Sequence, residues 1–326
     1  MTDPQAVSNV MVTGATGFVG RHIVRTLLTR GYNPICVVRD AAKLTAQHPD
    51  ADPERLVPIV GDIHDPNALG HAADLSQATI HLVGIIIARK LKRQTFERIH
   101  AQGTANVLDA VERAGIQRYL HMSALGTGPD AASPYHQTKW AAEQDVAARD
   151  LGWTIFRPSL IHGPDGEFMR LVKTFVCGLN PPFIPYFGNG QARIQPVYVR
   201  DVAHCFVEAL SRTESIRQVI PLGGPRAYSW LQMYDACRRV MPAARTWKPY
   251  VSLPPPVAKT MAAISAPVLS VAELVMPSIG MFRFDAGQVE MATEDSVCDH
   301  TIAERAFGTT MRDFEVELAN YAADIR

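Results

Sequence analysis

A doubly wound, parallel α/β sheet with a smaller, mainly helical C-terminal cap is the fold class this sequence predicts. Three observations carry the prediction. Short, continuously apolar runs alternate with amphipathic helical patterns through the first half of the chain, as expected of parallel strands covered on both faces. A cluster of glycines stands between the first apolar run and the first helical pattern, where folds of this class receive ligands. Beyond about residue 163 the alternation gives way to sequence broken by prolines and richer in helix.

The expected strands are Val10–Val12, Ile35–Val38, Leu56–Val60, Ile80–Val83, Tyr119–Met122 and Trp153–Phe156. Phe18–Thr29 succeeds the first of them as a helix. In Leu91–Ala114, residues Phe96, Ile99, Gly103, Val107, Ala110 and Ala114 recur at helical spacing. Glu97, Gln102, Asp109, Glu112 and Arg113 fall opposite, and Gly115 closes the helix. Pro181-Pro182 and Pro185 interrupt the stretch beyond residue 163, and Gly188-Asn189-Gly190 reads as a turn. Gln195–Val199 with Asp201–Leu210 reads as a strand–helix pair returning to the sheet. The expected division is a sheet domain over 1–163, rejoined by 191–222, and a cap formed by 164–190 and 223–326.

The bulk properties exclude several classes. The 326 residues can bury a large core, and Lys+Arg and Asp+Glu are 32 each, so no global field draws nucleic acid or an anionic membrane. Cys36, Cys177, Cys205, Cys237 and Cys298 stand singly with no CxxC pair, which argues against a disulfide framework or structural zinc and fits a reducing compartment. The polar first residues leave no room for a signal peptide, so the expected location is cytoplasmic. Met261–Phe282 is apolar but carries Glu273, Pro267 and Pro277, a poor spanning helix.

The glycines fall in Met11-Val12-Thr13-Gly14-Ala15-Thr16-Gly17-Phe18-Val19-Gly20, a strand–turn–helix junction. A diphosphate must approach the amides of a helix start, and side chains would block it. Gly14, Thr16, Gly17, Phe18, Val19 and Gly20 are therefore the candidate cradle of a nicotinamide dinucleotide in a Rossmann-type βαβ unit. After the second strand, Arg39 occupies the place where an NAD-preferring site carries a carboxylate. A guanidinium there can pair with a 2′-phosphate, so NADP(H) is the preferred cofactor. Arg21, a cation in the first helical turn, calls for a nearby anion. Asp40 keeps NAD(H) open: it is either a helix cap or a partner for the ribose 2′-OH.

Ser123 comes just after the Tyr119–Met122 run, and Tyr135 and Lys139 share one face of the next helix. A cation beside a phenol lowers its pKa and suits it to proton transfer, a lysine can hold the nicotinamide ribose, and a serine can hydrogen-bond a substrate oxygen. The histidines are dispersed; His121, His136 and His162 lie near this set without ligand spacing, and no metal is expected.

TGATGFVG, Gly61-Asp62-Ile63, the helix Gly103–Ala110, His121-Met122-Ser123-Ala124-Leu125-Gly126, Tyr135-x-x-x-Lys139 and Phe156-Arg157-Pro158-Ser159-Leu160-Ile161-His162-Gly163-Pro164 resemble the extended or atypical short-chain dehydrogenase/reductases. Gln195-Pro196-Val197-Tyr198-Val199-Arg200-Asp201-Val202-Ala203 and Gly223-Gly224-Pro225 narrow the resemblance. They are similar to the branch containing the nucleotide-binding accessory subunit of respiratory complex I and its bacterial relatives. The resemblance implies that Asp62 and Ile63 flank the adenine, Val83 and Gly84 line the adenosine ribose, and Pro158, Ser159 and Leu160 approach the carboxamide. It also implies Ser123, Tyr135 and Lys139 as the catalytic set. His81-Leu82-Val83-Gly84 departs from the family's usual Asn-Ala-Ala-Gly, which loosens the ribose assignment.

Three functional readings stay open on the sequence. One is an oxidoreductase or epimerase/dehydratase acting on a small molecule. A second is a dinucleotide-binding assembly subunit, associated with a respiratory complex or peripheral to the inner face of a membrane. The third is a dinucleotide-sensing regulator. Ile85-Ile86-Ile87 and the apolar Met261–Phe282 point to an apolar, quinone-like or isoprenoid substrate. The charged side of Leu91–Ala114 favours a monomer.

Overall fold

The computed structural model describes residues 7–89, 94–264 and 284–325. Seven strands form one sheet: β1 (Asn9–Thr13), β2 (Asn33–Val38), β3 (Val57–Val60), β4 (Ala78–His81), β5 (Arg118–Met122), β6 (Gly152–Pro158) and β7 (Gln218–Leu222). Their order is β7-β6-β5-β4-β1-β2-β3, and every pairing is parallel. The order reverses between β1 and β4, the place where a crevice opens at the carboxyl ends of the strands.

The continuously apolar runs are explained by the two cores they serve. In β1, Val10 and Val12 join one buried cluster and Met11 the other; in β2, Cys36 and Val38 face one way and Ile35 and Val37 the other. Successive side chains of a strand point to opposite faces, so a strand covered on both sides favours apolar residues at every position. Helices α1 (Phe18–Thr29), α2 (Ala41–Gln47), α3 (Pro66–Asp74), α4 (Gly103–Arg113), α5 (Pro134–Ala148), α6 (Glu167–Cys177) and α7 (Val199–Ala209) come in chain order. Ile23, Val24 and Leu27 of α1 with Val202 and Phe206 of α7 cover the first face. Leu69 of α3, Val107 and Val111 of α4 and Val146 of α5 cover the second.

The C-terminal region is mainly helical, with α8 (Trp230–Val240), α9 (Ala286–Met291), α10 (Thr301–Phe307) and α11 (Phe314–Tyr321). It builds a third core from Met169 and Val172 of α6, Met233 and Cys237 of α8, and Phe314 and Leu318 of α11. Arg118, at the start of β5, is a buried staple: it donates to the Ala209 carbonyl at the end of α7 (3.1 Å), to Thr154 Oγ1 (2.8 Å) and to Ser215 Oγ (2.7 Å). Burial lowers its guanidinium to about 10, still a cation at neutral pH.

Three elements differ from the sequence expectation. β4 spans Ala78–His81 instead of Ile80–Val83, because its neighbour β1 ends with Thr13 opposite His81 and turns away at Gly14. Gln195–Val199 does not return to the sheet. Arg193–Ile194 and Val197–Tyr198 form two-stranded ribbons with Tyr228–Ser229 and Ile161–His162, and the returning strand is β7. The helix expected over Leu91–Ala114 opens with a wide π-helical turn, Glu97–Gln102, before α4 begins, and residues 91–93 lie outside the described residues. Gly115 closes it at φ 73° as expected. Most of Met261–Phe282 also lies outside the described residues. Among those described, no helix is long and apolar enough to cross a membrane.

Candidate active site

The glycine turn is fixed by contacts that admit no side chain. Gly14 has φ 78°, and a Cβ on Gly20 would stand 2.1 Å from the Gly14 carbonyl oxygen. The Gly17 N–H donates to the same oxygen at 3.0 Å. Gly17 caps α1 without a side-chain hydrogen bond, and the first turn holds no acidic residue. Its free amides and the positive end of the helix dipole suit an anion such as a diphosphate.

Phe18 does not point into that turn: its ring packs on Gly163 and Gly166, where added Cβ atoms would lie 3.2 and 3.0 Å from its Cζ. The anion expected near Arg21 is supplied by the protein itself. Asp165 Oδ2 lies 2.7 Å from Arg21 Nε, the Asp165 carbonyl accepts from Arg21 Nη2 at 2.9 Å, and His22 Nε2 is 3.2 Å from Asp165 Oδ1. Arg21 is therefore no evidence for a phosphate, and the Gly163–Gly166 loop is tied to the start of α1.

Arg39 is exposed just past β2, while the Asp40 carboxylate accepts the Lys43 N–H at 3.0 Å and caps α2. Asp62 is exposed and accepts the His64 N–H at 2.7 Å. Ile63 is buried against Gly103, where a Cβ would come within 2.3 Å of its Cδ1. A side chain at Gly103 would have to displace the tip of Ile63. Val83 and Gly84 form the loop after β4. Pro158 and Ser159 are buried and Leu160 packs on the third core. The Ser159 hydroxyl donates to the Ser296 carbonyl (2.8 Å) and accepts the Gln195 N–H (3.2 Å), so it serves the C-terminal segment.

Ser123 sits at the carboxyl end of β5; its N–H donates to the Phe156 carbonyl (2.7 Å) and its hydroxyl to Thr127 Oγ1 (3.3 Å). Ser133 caps α5 by accepting the His136 N–H, and Pro134 opens the helix. Tyr135 and Lys139 come next, one turn apart. Lys139 is 4% exposed, and its Nζ donates to the Met122 carbonyl at 2.9 Å. A Cβ on Gly84 would lie 3.1 Å from that Nζ, so the lysine bridges the end of β5 and the loop after β4. Burial lowers its ammonium to about 8, opposed by Glu143 one turn along. Both Glu143 oxygens are held by Arg157, at 2.9 and 2.5 Å.

The expected lowering of the Tyr135 phenol does not hold in this arrangement. Burial pushes it up to about 12, and the Lys139 ammonium is turned to the Met122 carbonyl.

The surroundings of Lys139 escape sequence reasoning. His81 Nδ1 and Nε2 pair with Thr13 Oγ1 (2.6 Å) and Thr104 Oγ1 (3.1 Å). His121, its register partner on β5, stacks on it at 5.5 Å. Burial and the Lys139 charge lower His81 to about 3 and His121 well below the ordinary histidine value. His100 completes the group, its Nε2 being 3.6 Å from a Cβ placed on Gly84. The one readable signal is the equal place of His81 and His121 at the ends of adjacent strands. His162 lies apart, paired with the Tyr321 hydroxyl at 2.8 Å. Among the described residues no cluster of His, Cys, Asp and Glu could hold a metal ion.

The family described as NAD dependent epimerase/dehydratase matches residues 10–223. A relative from Arabidopsis thaliana, NADH dehydrogenase [ubiquinone] 1 alpha subcomplex subunit 9, mitochondrial, is 30% identical over 304 residues, 90% of this chain and 72% of the relative. Ceramide reductase of Caulobacter vibrioides is 32% identical over 246 residues, 74% of this chain and 73% of the relative. Among solved structures, MoeE5 in complex with UDP-glucose and NAD superposes with a TM-score of 0.70 at 21% identity, covering 97% of this chain and 98% of that one. At that identity the likeness speaks for the fold alone.

Proposed function

The chain belongs to the NAD dependent epimerase/dehydratase family, and from that premise we propose that it is an NADP(H)-dependent oxidoreductase with Tyr135 as its acid–base group. The observation that carries the reading is the burial of Lys139 one helical turn from Tyr135, tied to a strand-end carbonyl beside the glycine loop after β4. An ammonium held in a dry site by a carbonyl, with no carboxylate bonded to it, is costly unless a ligand uses it.

In this reading the amides of Gly14–Gly20 hold the diphosphate and Asp62 and Ile63 flank the adenine. Val83 and Gly84 line a ribose, and the backbone of Pro158–Leu160 meets the carboxamide. Arg39 pairs with a 2′-phosphate; the engagement of Asp40 as the cap of α2 supports this preference over NAD(H). When bound, the nicotinamide supplies or takes up a hydride. Lys139 holds the nicotinamide ribose. Ser123, oriented by Thr127, donates to a substrate oxygen, and Tyr135 passes a proton to or from that oxygen. Residues 164–190 and 223–326 act as the cap over the substrate. An apolar substrate agrees with exposed Ile86 in the loop after β4 and with a relative named for ceramide.

A second reading is favoured by the 30% identity to a mitochondrial respiratory subunit across 90% of the chain. There the dinucleotide is structural, and the partner is a respiratory complex or the membrane surface beside it. A screen of apolar carbonyl compounds with NADPH separates the two. Turnover that Tyr135→Phe abolishes supports the oxidoreductase. Dinucleotide retained through dialysis, with no turnover on any compound, supports the structural role.

A further inference from the structure

His100 stands where three elements meet. It lies in the π-helical turn Glu97–Gln102, and such turns concentrate at functional sites. Its ring is 1% exposed. Nε2 accepts the Ile85 N–H at 3.1 Å; an amide only donates, so the proton of the neutral imidazole is on Nδ1. Nδ1 then donates to Thr138 Oγ1 at 2.9 Å. The Thr138 hydroxyl donates in turn to the Pro134 carbonyl at 2.9 Å or the Tyr135 carbonyl at 3.0 Å. The result is a one-directional chain from the loop after β4 to the first turn of α5. The same ring meets Tyr135 edge-on, with centroids 5.3 Å apart and planes at 87°.

We infer that His100 is a positioning residue, a clamp of fixed tautomer that sets the Gly84–Ile85 segment of the cofactor pocket against Tyr135 and Lys139. The inference rests on the function proposed above. His100 moves no proton itself: burial and the Lys139 charge push it down to about 2, so it stays neutral at any working pH.

Its two nitrogens can be tested separately. In His100→Asn the side-chain amide reaches the Nδ1 position and keeps the Thr138 link while releasing Ile85. In His100→Gln it reaches the Nε2 position and keeps Ile85 while releasing Thr138. His100→Asn is expected to weaken NADPH binding on the order of tenfold, the loss of one buried hydrogen bond. His100→Gln is expected to stay within about threefold of the parent, since that bond is retained. Nitrogen NMR of histidine-labelled parent protein, which needs no variant to fold, should find the His100 proton on Nδ1 and no titration of the ring. Equal NADPH affinity in the two variants, or a proton on Nε2, overturns the clamp. Failure of the parent protein to bind any dinucleotide overturns the proposed function instead, and the tautomer measurement distinguishes the two failures.

Discussion

The Lys139 ammonium donates to the carbonyl of Met122, the residue just before Ser123, across 2.9 Å. One hydrogen bond thus joins the helix that carries Tyr135 to the strand end that carries the serine. Because Glu143 is committed to Arg157, that carbonyl does the work a carboxylate would do elsewhere.

Lys139→Met should therefore separate function from folding. Turnover of apolar carbonyl compounds with NADPH should fall at least about 100-fold, the usual range for losing a group that assists proton transfer. Stability should hold or rise, because a buried cation that no carboxylate pairs with is replaced by an apolar side chain. Between about pH 8 and the ordinary lysine value of 10.5 the unfolded chain keeps a proton here that the folded chain has released. The parent's stability therefore gains with rising pH in that window. Urea midpoints at pH 7 and 10 check both points; a Lys139→Met protein that unfolds more easily at both would refute this account.

Acid should weaken the protein well above the range where carboxylates titrate. His81 and His162 are lowered to about 3, His100 to about 2, and His121 lies well below the ordinary 6.5, all chiefly through burial. Below pH 6.5 the unfolded chain binds protons that the folded chain refuses, so stability is lost as pH falls towards 3. Each buried imidazole contributes about 1.4 kcal/mol per pH unit in that window. Denaturation curves at pH 7, 6 and 5 should move steadily to lower urea, and a flat series would contradict the burial of these rings.

Two glycine substitutions should act in opposite directions. Gly20→Ala forces a methyl group against the Gly14 carbonyl, distorting the turn, and should remove dinucleotide binding. Gly70, inside α3, has nothing within 4 Å of a Cβ, and Gly70→Ala should stabilise by about 1 kcal/mol with binding unchanged. Calorimetric titration and thermal melts on the pair decide the matter; retained binding in Gly20→Ala would argue that the cradle lies elsewhere.

Arg39→Ser should cut NADPH affinity about 10- to 100-fold, the range for one charge-assisted contact, and leave NADH affinity nearly unchanged. The ratio of the two dissociation constants is the readout. An unchanged ratio would leave the 2′-phosphate without its proposed partner.

Elements buried on both faces are legible where both faces are filled with apolar side chains. β1 and β2 read as uninterrupted apolar runs for that reason. β7 is not legible. As an edge strand it carries exposed Gln218 and Val219 and tolerates Pro221, so it lacks the pattern of its neighbours. The places of Ser123 and of Tyr135 with Lys139 come from one strand end and one helical turn. His100 is hidden, because its partners Ile85 and Thr138 are 15 and 38 residues away and only the packed sheet brings them together. Arg21 misleads for a related reason: helix electrostatics demand an anion but cannot say that Asp165, far along the chain, provides it.

The buried guanidinium of Arg118 has one more implication. It joins the last turn of α7, strand β6 and the segment entering β7 through carbonyls and hydroxyls alone, so detaching the outer strand would take the Ser215 hydroxyl from a buried cation that has no carboxylate to replace it. An edge that would otherwise fray first is thereby bound to the cooperative unit. Its amides should exchange deuterium on the slow timescale of complete unfolding, protecting this margin of the sheet from pairing with strangers.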